Sequence, residues 1–460
     1  MNIFIHMENV IRELDGKLLL ATLAASRGHE VIISNIEAIE KGIRRGLLKP
    51  GIFHTKSLTP STVKIFNHKA MIEKGNLVTS LDEEGGLTLK GYDKFVKERY
   101  SEETIKDASA IFGYGIDDTE TLKKVYSKYS SKIHKTGSPR VDLWKPLFSK
   151  YWGTPTNMPK KPFLLVVSNM SYANYAEPLK EIIKTHKKNG LYEFKPWQFL
   201  ETLVTASGQY RTIADFIEAI QHLAKKNKGY DIVLRPHQNE DLDSWKVYLE
   251  GIPNVYVIRE GSISGWISNA FAVMHNGCTS ALESTISKKP LLTYVPNKQE
   301  LFGYELPNEL GYKIESKDNL LLKVNYLFDS MKSNNEIILD KHLPEQVVKK
   351  IYIDDKELAA EKIIKHWESL SKNQSNFSKS SNWILFKLSL KAMKINGIRN
   401  RIFKGLFSGK FNFRKKNFKF PPLDRNDINM RVKKLQDVLG IKKNLECKLL
   451  SERTILIKSR

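Results

Sequence analysis

Short apolar runs separated by helical stretches set the pattern of the first 145 residues. Asn2–His6 is an apolar strand. From Asp15 to Ser26 the apolar positions Leu19, Leu20, Leu23 and Ala24 follow helical spacing, Gly28 stops the helix, and Val31–Ile33 forms the next strand. Val78–Leu81 and Ser109–Gly113 repeat the strand signal, and Ile133–Pro139 closes the segment. Strands alternating with helices predict βαβ units and a parallel sheet. Between Lys145 and Pro162 the chain turns to Pro, Lys and aromatic residues, with Pro146, Pro155, Pro159 and Pro162, which suits a linker. A second alternating set begins at Phe163. Its strands are expected at Phe163–Val167, Asp231–Leu234, Val255–Ile258, Phe271–Met274 and Leu291–Val295, with a helical stretch over Pro196–Lys228. The expected organisation is a Rossmann-like domain over 1–145, a linker over 146–161, a second Rossmann-like domain over 162–370 and a basic, partly amphipathic helical extension over 371–460.

The extension stands apart by charge. Lys372–Lys419 contains no Asp or Glu, and its lysines and arginines are interleaved with Trp383, Ile384, Leu385, Phe386, Leu388, Leu390, Phe403, Leu406 and Phe407. That mixture suits an anionic membrane surface, where each basic residue contributes about 1 kcal/mol; a basic helix packed on the preceding domains, or a disordered tail, has the same composition. The whole chain of 460 residues carries a formal net charge of +23, so an anionic partner is expected. No nucleic-acid module is visible in the pattern, and nucleic acid is not an expected partner. Cys278 and Cys447 stand in no CxxC or Cys/His spacing, which excludes a disulfide framework and a zinc site, and a reducing compartment is expected. The start of the chain reads as a strand without a leader, and no run of about 18 apolar residues is present. The expected location is the cytoplasm, peripheral to the inner face of the cell membrane.

Three segments place reactive side chains where strands end. Asp82, Glu83 and Glu84 follow the Val78–Leu81 strand, and Gly85 allows backbone to approach a substrate. Crowded carboxylates raise one another's pKa toward the working range of a general base; the same residues suit a solvated turn. Arg235 and His237 follow the Asp231–Leu234 strand, at the edge where open sheets bind ligands, and suit a phosphate or diphosphate. A structural histidine fits that place too. His275 and Gly277 lead into Thr279 and Ser280, which open a helix favourable to phosphate or serve as its N-cap. Glu283 suits ribose hydroxyls or a capping box. In the loop after the first strand, Arg12, Glu13 and Gly16 are cleft candidates for the acceptor, while Asp15 suits helix capping. No metal is expected, because Asp241-Leu242-Asp243 opens the helix that follows and Asp117-Asp118 makes a polar turn after Gly115.

These motifs together resemble the bacterial surface-carbohydrate biosynthesis proteins and, more distantly, the CMP-sugar transferases of capsule and lipooligosaccharide assembly, including sialyltransferases, polysialyltransferases and Kdo transferases. Glu83-Glu84-Gly85 resembles their acidic motif, His237-Gln238 their His-Pro motif and Thr279-Ser280 their Ser/Thr pair; Gly137-Ser138-Pro139-Arg140, Asp142 and Trp144 are similar to the surface-carbohydrate group. The proline after the histidine is replaced by Gln238 here, and Pro236 precedes it. The resemblance covers about residues 1–330. It implies a GT-B fold of two Rossmann-like domains facing a cleft and metal-independent glycosyl transfer. Glu83 or Glu84 would be the general base, His237 the electrophile at the phosphate, and Thr279 and Ser280 phosphate ligands. It further implies a CMP-activated acidic sugar as substrate, no separate cofactor, and a lipid-linked or polysaccharide acceptor. A CDP-glycerol-type or CDP-ribitol-type polyol-phosphate transferase, and a non-catalytic carbohydrate-assembly partner of the same fold, are the alternatives.

Overall fold

A computed structural model describes residues 1–82, 92–174, 178–194, 197–296, 305–333, 343–372, 374–378, 380–408 and 420–460. The chain forms two compact α/β units, one of Met1–Leu143 with Val348–Arg460 and the other of Trp144–Val347.

In the first unit the strands are β1 (Asn2–His6), β2 (Glu30–Ser34), β3 (Gly51–Thr55), β4 (Leu77–Leu81), β5 (Ala110–Gly113) and β6 (Ile133–Lys135), all parallel, in the order β2-β1-β3-β4-β5-β6. Their apolar residues are buried on both faces, as a parallel sheet between helical layers requires. The order reverses between β1 and β3, which makes the carboxyl ends of those strands the switch point of the sheet. The Val10–Ser26 helix starts five residues before the expected Asp15. Glu13 explains the difference: its carboxylate accepts the backbone amides of Glu8 (3.1 Å) and Asn9 (3.2 Å) and so organises an earlier first turn. Gly28 follows the helix with φ +93°, the left-handed backbone expected of a stop.

The second unit contains β7 (Phe163–Val167), β8 (Asp231–Arg235), β9 (Val255–Val257), β10 (Ala272–His275), β11 (Leu291–Tyr294) and β12 (Tyr312–Ile314), parallel throughout. Their order, β12-β11-β10-β7-β8-β9, is that of a dinucleotide-binding Rossmann sheet, with its switch point between β7 and β10. The Trp197–Lys226 helix, close to the span expected from periodicity, buries Ile213, Phe216, Ile220 and Leu223 in a core shared with Leu164, Ile232 and Met274. The α/β class with two Rossmann-like units is therefore present in this chain.

Residues beyond Val348 depart from the expected layout. Instead of ending the second unit at 370 and appending an extension, the chain returns to the first unit. The Ala359–Ser371 helix buries Ile363, Ile364 and Trp367, and the Trp367 indole donates to Thr79 Oγ1 at 3.0 Å. A hairpin of β13 (Leu445–Ser451) and β14 (Thr454–Ser459) adds to the sheet through antiparallel pairing of β14 with β2. Within the Trp383–Ser408 helix, Phe386 and Leu390 are buried in a core with Phe4, Ile32, Phe53 and Leu456. Apolar burial, which is worth about 25 cal/mol per Å², makes these segments part of the unit.

Candidate functional site

The carboxyl edge of the second unit's sheet brings three loops together. After β7 come Ser168, Asn169 and Met170; after β8 come Pro236 to Glu240; after β10 come Asn276 to Thr279. At the switch point Asn169 Nδ2 donates to the Gly277 carbonyl (2.9 Å), which ties the β7 loop to the β10 loop. Gly277 has φ +62°, a conformation that favours glycine, and its amide donates to Asn308 Oδ1 at 2.7 Å. Asn276 Nδ2 reaches the Tyr294 carbonyl at 3.0 Å. The β10 loop is thus fixed from both sides.

Glu240 fixes the other two loops. Its side chain is completely buried and accepts Ser168 Oγ (2.9 Å), the Met170 amide (3.0 Å), the His237 amide (3.2 Å) and the Trp245 indole (2.7 Å). Burial raises its pKa, and these donors pull in the opposite direction. The acid three residues after His237 was the signal for it in the sequence, and sequence reasoning passed it over.

His237 is half-buried, and its Nδ1 accepts the Asn239 amide at 3.3 Å. A neutral ring that accepts at Nδ1 carries its proton on Nε2, which makes Nε2 a donor. Burial and then the neighbouring Arg259 charge lower the pKa of the ring, so it is neutral at pH 7. Arg259 was also missed. Its Nη1 donates to the carbonyls of Glu240 (2.6 Å), His237 (3.4 Å) and Gln238 (3.5 Å), which holds the guanidinium against the loop after β8, and no carboxylate pairs with it among the described residues. An arginine beside a neutral N–H donor is an arrangement that recognises phosphate oxygens.

Arg235 is used differently from expectation. Its Nη1 and Nη2 donate to the carbonyls of Glu260 (2.6 Å) and Gly261 (2.5 Å), and its guanidinium lies 5.9 Å from the Trp266 ring centroid. Burial brings its pKa to about 10, countered by the charge of Glu283. Arg235 therefore shapes the loop after β9. His275 lies wholly inside the sheet. Thr293 gives its hydroxyl proton to the Leu310 carbonyl, so His275 Nε2–H donates to Thr293 Oγ1 at 2.9 Å, and burial lowers the ring's pKa to about 3. It is a neutral rung between β10 and β11, a place that corrects the expectation of a phosphate contact. Thr279 precedes the Ser280–Ile286 helix in an αR conformation and makes no side-chain capping bond, while buried Ser280 donates to Cys278 Sγ at 3.1 Å. Glu283 is buried on the first turn.

In the first unit, Glu83, Glu84 and Gly85 lie outside the described residues. Asp82 is buried at the end of β4 and receives Arg99 Nε (2.7 Å) and Nη2 (2.9 Å). Glu13 is buried and pairs with Lys56 (3.5 Å) and Lys17 (3.6 Å), whereas Arg12 is exposed. Gly16 serves packing: a Cβ there would stand 3.0 Å from the Arg140 backbone nitrogen. Asp118 accepts the Tyr114 (2.7 Å) and Gly115 (2.6 Å) amides, and burial pushes its carboxyl up to about 6. Asp241 caps its helix through the Ser244 amide at 2.9 Å. Among the described residues no group of three His, Cys, Asp or Glu is arranged to hold a metal ion.

No protein-family model matches the sequence, and no curated protein matches it. Solved structures do show similarity. A Listeria monocytogenes protein described as a UDP-N-acetylglucosamine 2-epimerase aligns over 82% of this chain and 98% of its own, with 14% identity and a TM-score of 0.48. The UDP-GlcNAc 2-epimerase of Methanocaldococcus jannaschii aligns over 80% and 99%, with 12% identity and a TM-score of 0.46. The wall teichoic acid polymerase TagF aligns over 70% and 72%, with 12% identity and a TM-score of 0.40. Function is therefore read from the site itself.

Proposed function

We propose that this chain is a glycosyltransferase of bacterial surface polysaccharide or glycolipid assembly, of GT-B type, whose second unit binds a nucleotide-activated sugar. The observation that carries the reading is the convergence of His237 Nε2–H, Arg259 and the fixed Gly277 loop at the switch point of a Rossmann sheet. His237 and Arg259 would bind the leaving phosphate. Hydrogen bonds to its oxygens strengthen as negative charge develops when the sugar departs, which is how a preorganised donor lowers a barrier. Thr279, whose hydroxyl makes no capping bond, would add a phosphate contact. A carboxylate of the Glu83–Glu84 pair would take the proton of the acceptor hydroxyl. The donor would be a CMP-activated acidic sugar, and the transfer would need no metal. Calorimetric titration with CMP, CDP, UDP and GDP tests the donor class. CMP is expected to bind tightest; preference for CDP would point to polyol-phosphate transfer, and preference for UDP or GDP to a hexosyl donor.

The acceptor would be lipid-linked, with the protein peripheral at the inner face of the membrane. No helix among the described residues is long and apolar enough to cross a membrane. The Trp383–Ser408 helix, however, carries two apolar faces. Phe386 and Leu390 are buried, while Ile384 (76% exposed), Leu388 (53%) and Ile395 (65%) form an outward stripe beside exposed Lys387 and Lys391. An outward apolar stripe bordered by lysines fits an anionic bilayer. The double substitution Ile384→Glu/Leu388→Glu is expected to weaken cosedimentation with phosphatidylglycerol vesicles about tenfold or more, with the melting temperature unchanged. Undiminished binding would count against the membrane role.

A further inference from the structure

The first unit has a switch point of its own, and cations collect there. His6 ends β1 and Thr55 ends β3, and His6 Nδ1 lies 3.3 Å from Thr55 Oγ1 across the point where the strand order reverses. Thr55 gives its hydroxyl proton to the Ser57 carbonyl (3.4 Å), so His6 donates from Nδ1 and keeps a lone pair on Nε2. Lys17, Lys56 and Lys64 all lie close enough to depress the protonation of His6, after burial, which is the larger cause. Three of the cations at this edge are matched by carboxylates: Lys17 by Glu13 (3.6 Å), Lys56 by Glu8 (2.6 Å) and Arg99 by Asp82 (2.7 Å).

Lys64 is not matched. Its Nζ donates to Ser57 Oγ at 2.7 Å, and among the described residues it has no carboxylate within ion-pair distance. Its place is unfavourable on three counts. It is half-buried; it shares its surroundings with the like charges of Arg99 and Lys56; and it sits on the first turn of the Thr62–Glu73 helix, where the macrodipole is positive. Burial, then Arg99, then Lys56 lower its pKa, and the charges of Asp82 and Glu8 oppose them with smaller effect. A lysine free to choose would turn into water, whereas this one is held inward by a buried serine.

We propose that Lys64 and Lys56, at the carboxyl ends of β1 and β3, form an oxyanion site in the first unit that takes the phosphate group of the acceptor. A phosphate there relieves all three unfavourable terms at once: it replaces lost hydration with charge-assisted bonds, offsets the crowded cations and meets the positive end of a helix. Assignment of the phosphate to the acceptor rests on the transferase reading; the existence of the site does not.

The test uses the full chain and its Lys64→Met variant, with inorganic phosphate, geranyl phosphate and geraniol as calorimetric probes. Wild type is expected to bind both phosphates and not geraniol, and the variant to bind both phosphates about tenfold or more weakly. In phosphate-free buffer the variant is expected to melt at or above the wild-type temperature, because no ion pair is lost. Unchanged phosphate affinity in the variant, geraniol binding equal to that of geranyl phosphate, or a clearly lower melting temperature would each overturn the proposal. CMP affinity of the variant is expected to be unchanged; failure of CMP to bind either protein would overturn the transferase reading and leave the phosphate result standing.

Discussion

Replacing Glu240 by alanine is expected to lower stability by about 4 kcal/mol and to abolish nucleotide binding. The side chain is completely buried, and its two oxygens accept from Ser168, Met170, His237 and Trp245. Alanine would leave a cavity and several buried donors without acceptors, at roughly 1–3 kcal/mol per unsatisfied group before the site relaxes. The same loss frees the β7 and β8 loops, so the His237 ring would no longer be held at the switch point. Glu240→Gln retains one acceptor oxygen, which suits the amides of Met170 and His237, and turns an amide donor toward the Trp245 indole; its cost should be about 2 kcal/mol. Urea denaturation of the three proteins measures the order wild type, Gln, Ala. A Glu240→Ala midpoint equal to wild type would show that the carboxylate does not organise these loops.

The second large effect belongs to the acidic cluster. Changing both Glu83 and Glu84 to glutamine is expected to reduce sugar transfer about 10²- to 10⁴-fold, the usual contribution of a positioned general base. Nucleotide affinity and melting temperature should hold, because amides of the same shape remove the base and leave the second unit untouched. Product formation from a CMP-sugar, followed chromatographically, reads the outcome. Turnover unchanged from wild type would remove both residues from the mechanism.

Much of this architecture is legible in the sequence, for a physical reason. Strands β1, β7, β8, β10 and β11 are continuous apolar runs because a parallel sheet is buried on both faces, and the candidate motifs follow β8 and β10 at their carboxyl ends. Strand β3 is not legible, since Gly-Ile-Phe-His-Thr interrupts its apolar pair with a glycine and a histidine. Gly51 is required there because a Cβ would stand 2.2 Å from the Asn2 carbonyl oxygen, and His54 is accommodated by Thr79 Oγ1 at 3.1 Å. Missing β3 hid the switch point of the first unit, and with it Lys56 and Lys64. The return of the chain after Val348 is equally silent: Ile455, Leu456 and Ile457 read as a short apolar run, and nothing in it names β2 as the partner. Long-range pairing is a property of the folded sheet. At the candidate site, the position of His237 just after a strand was legible, whereas the partners of Arg235 and His275 were not. Arginine at a strand end suggests phosphate, yet here two backbone carbonyls claim the guanidinium. Histidine at a strand end suggests chemistry, yet burial and Thr293 claim the imidazole.

Titration calorimetry of CMP into the wild-type protein and into His237→Ala tests the central claim most directly. Nucleotide bound at the switch point of the second unit would meet the Nε2–H of His237, so CMP should bind the wild type and bind the variant about tenfold or more weakly, while both proteins melt at the same temperature. CMP binding of equal strength in the two proteins would place the nucleotide elsewhere, and absence of binding by CMP, CDP, UDP and GDP alike would contradict the transferase and favour a carbohydrate-assembly partner without turnover.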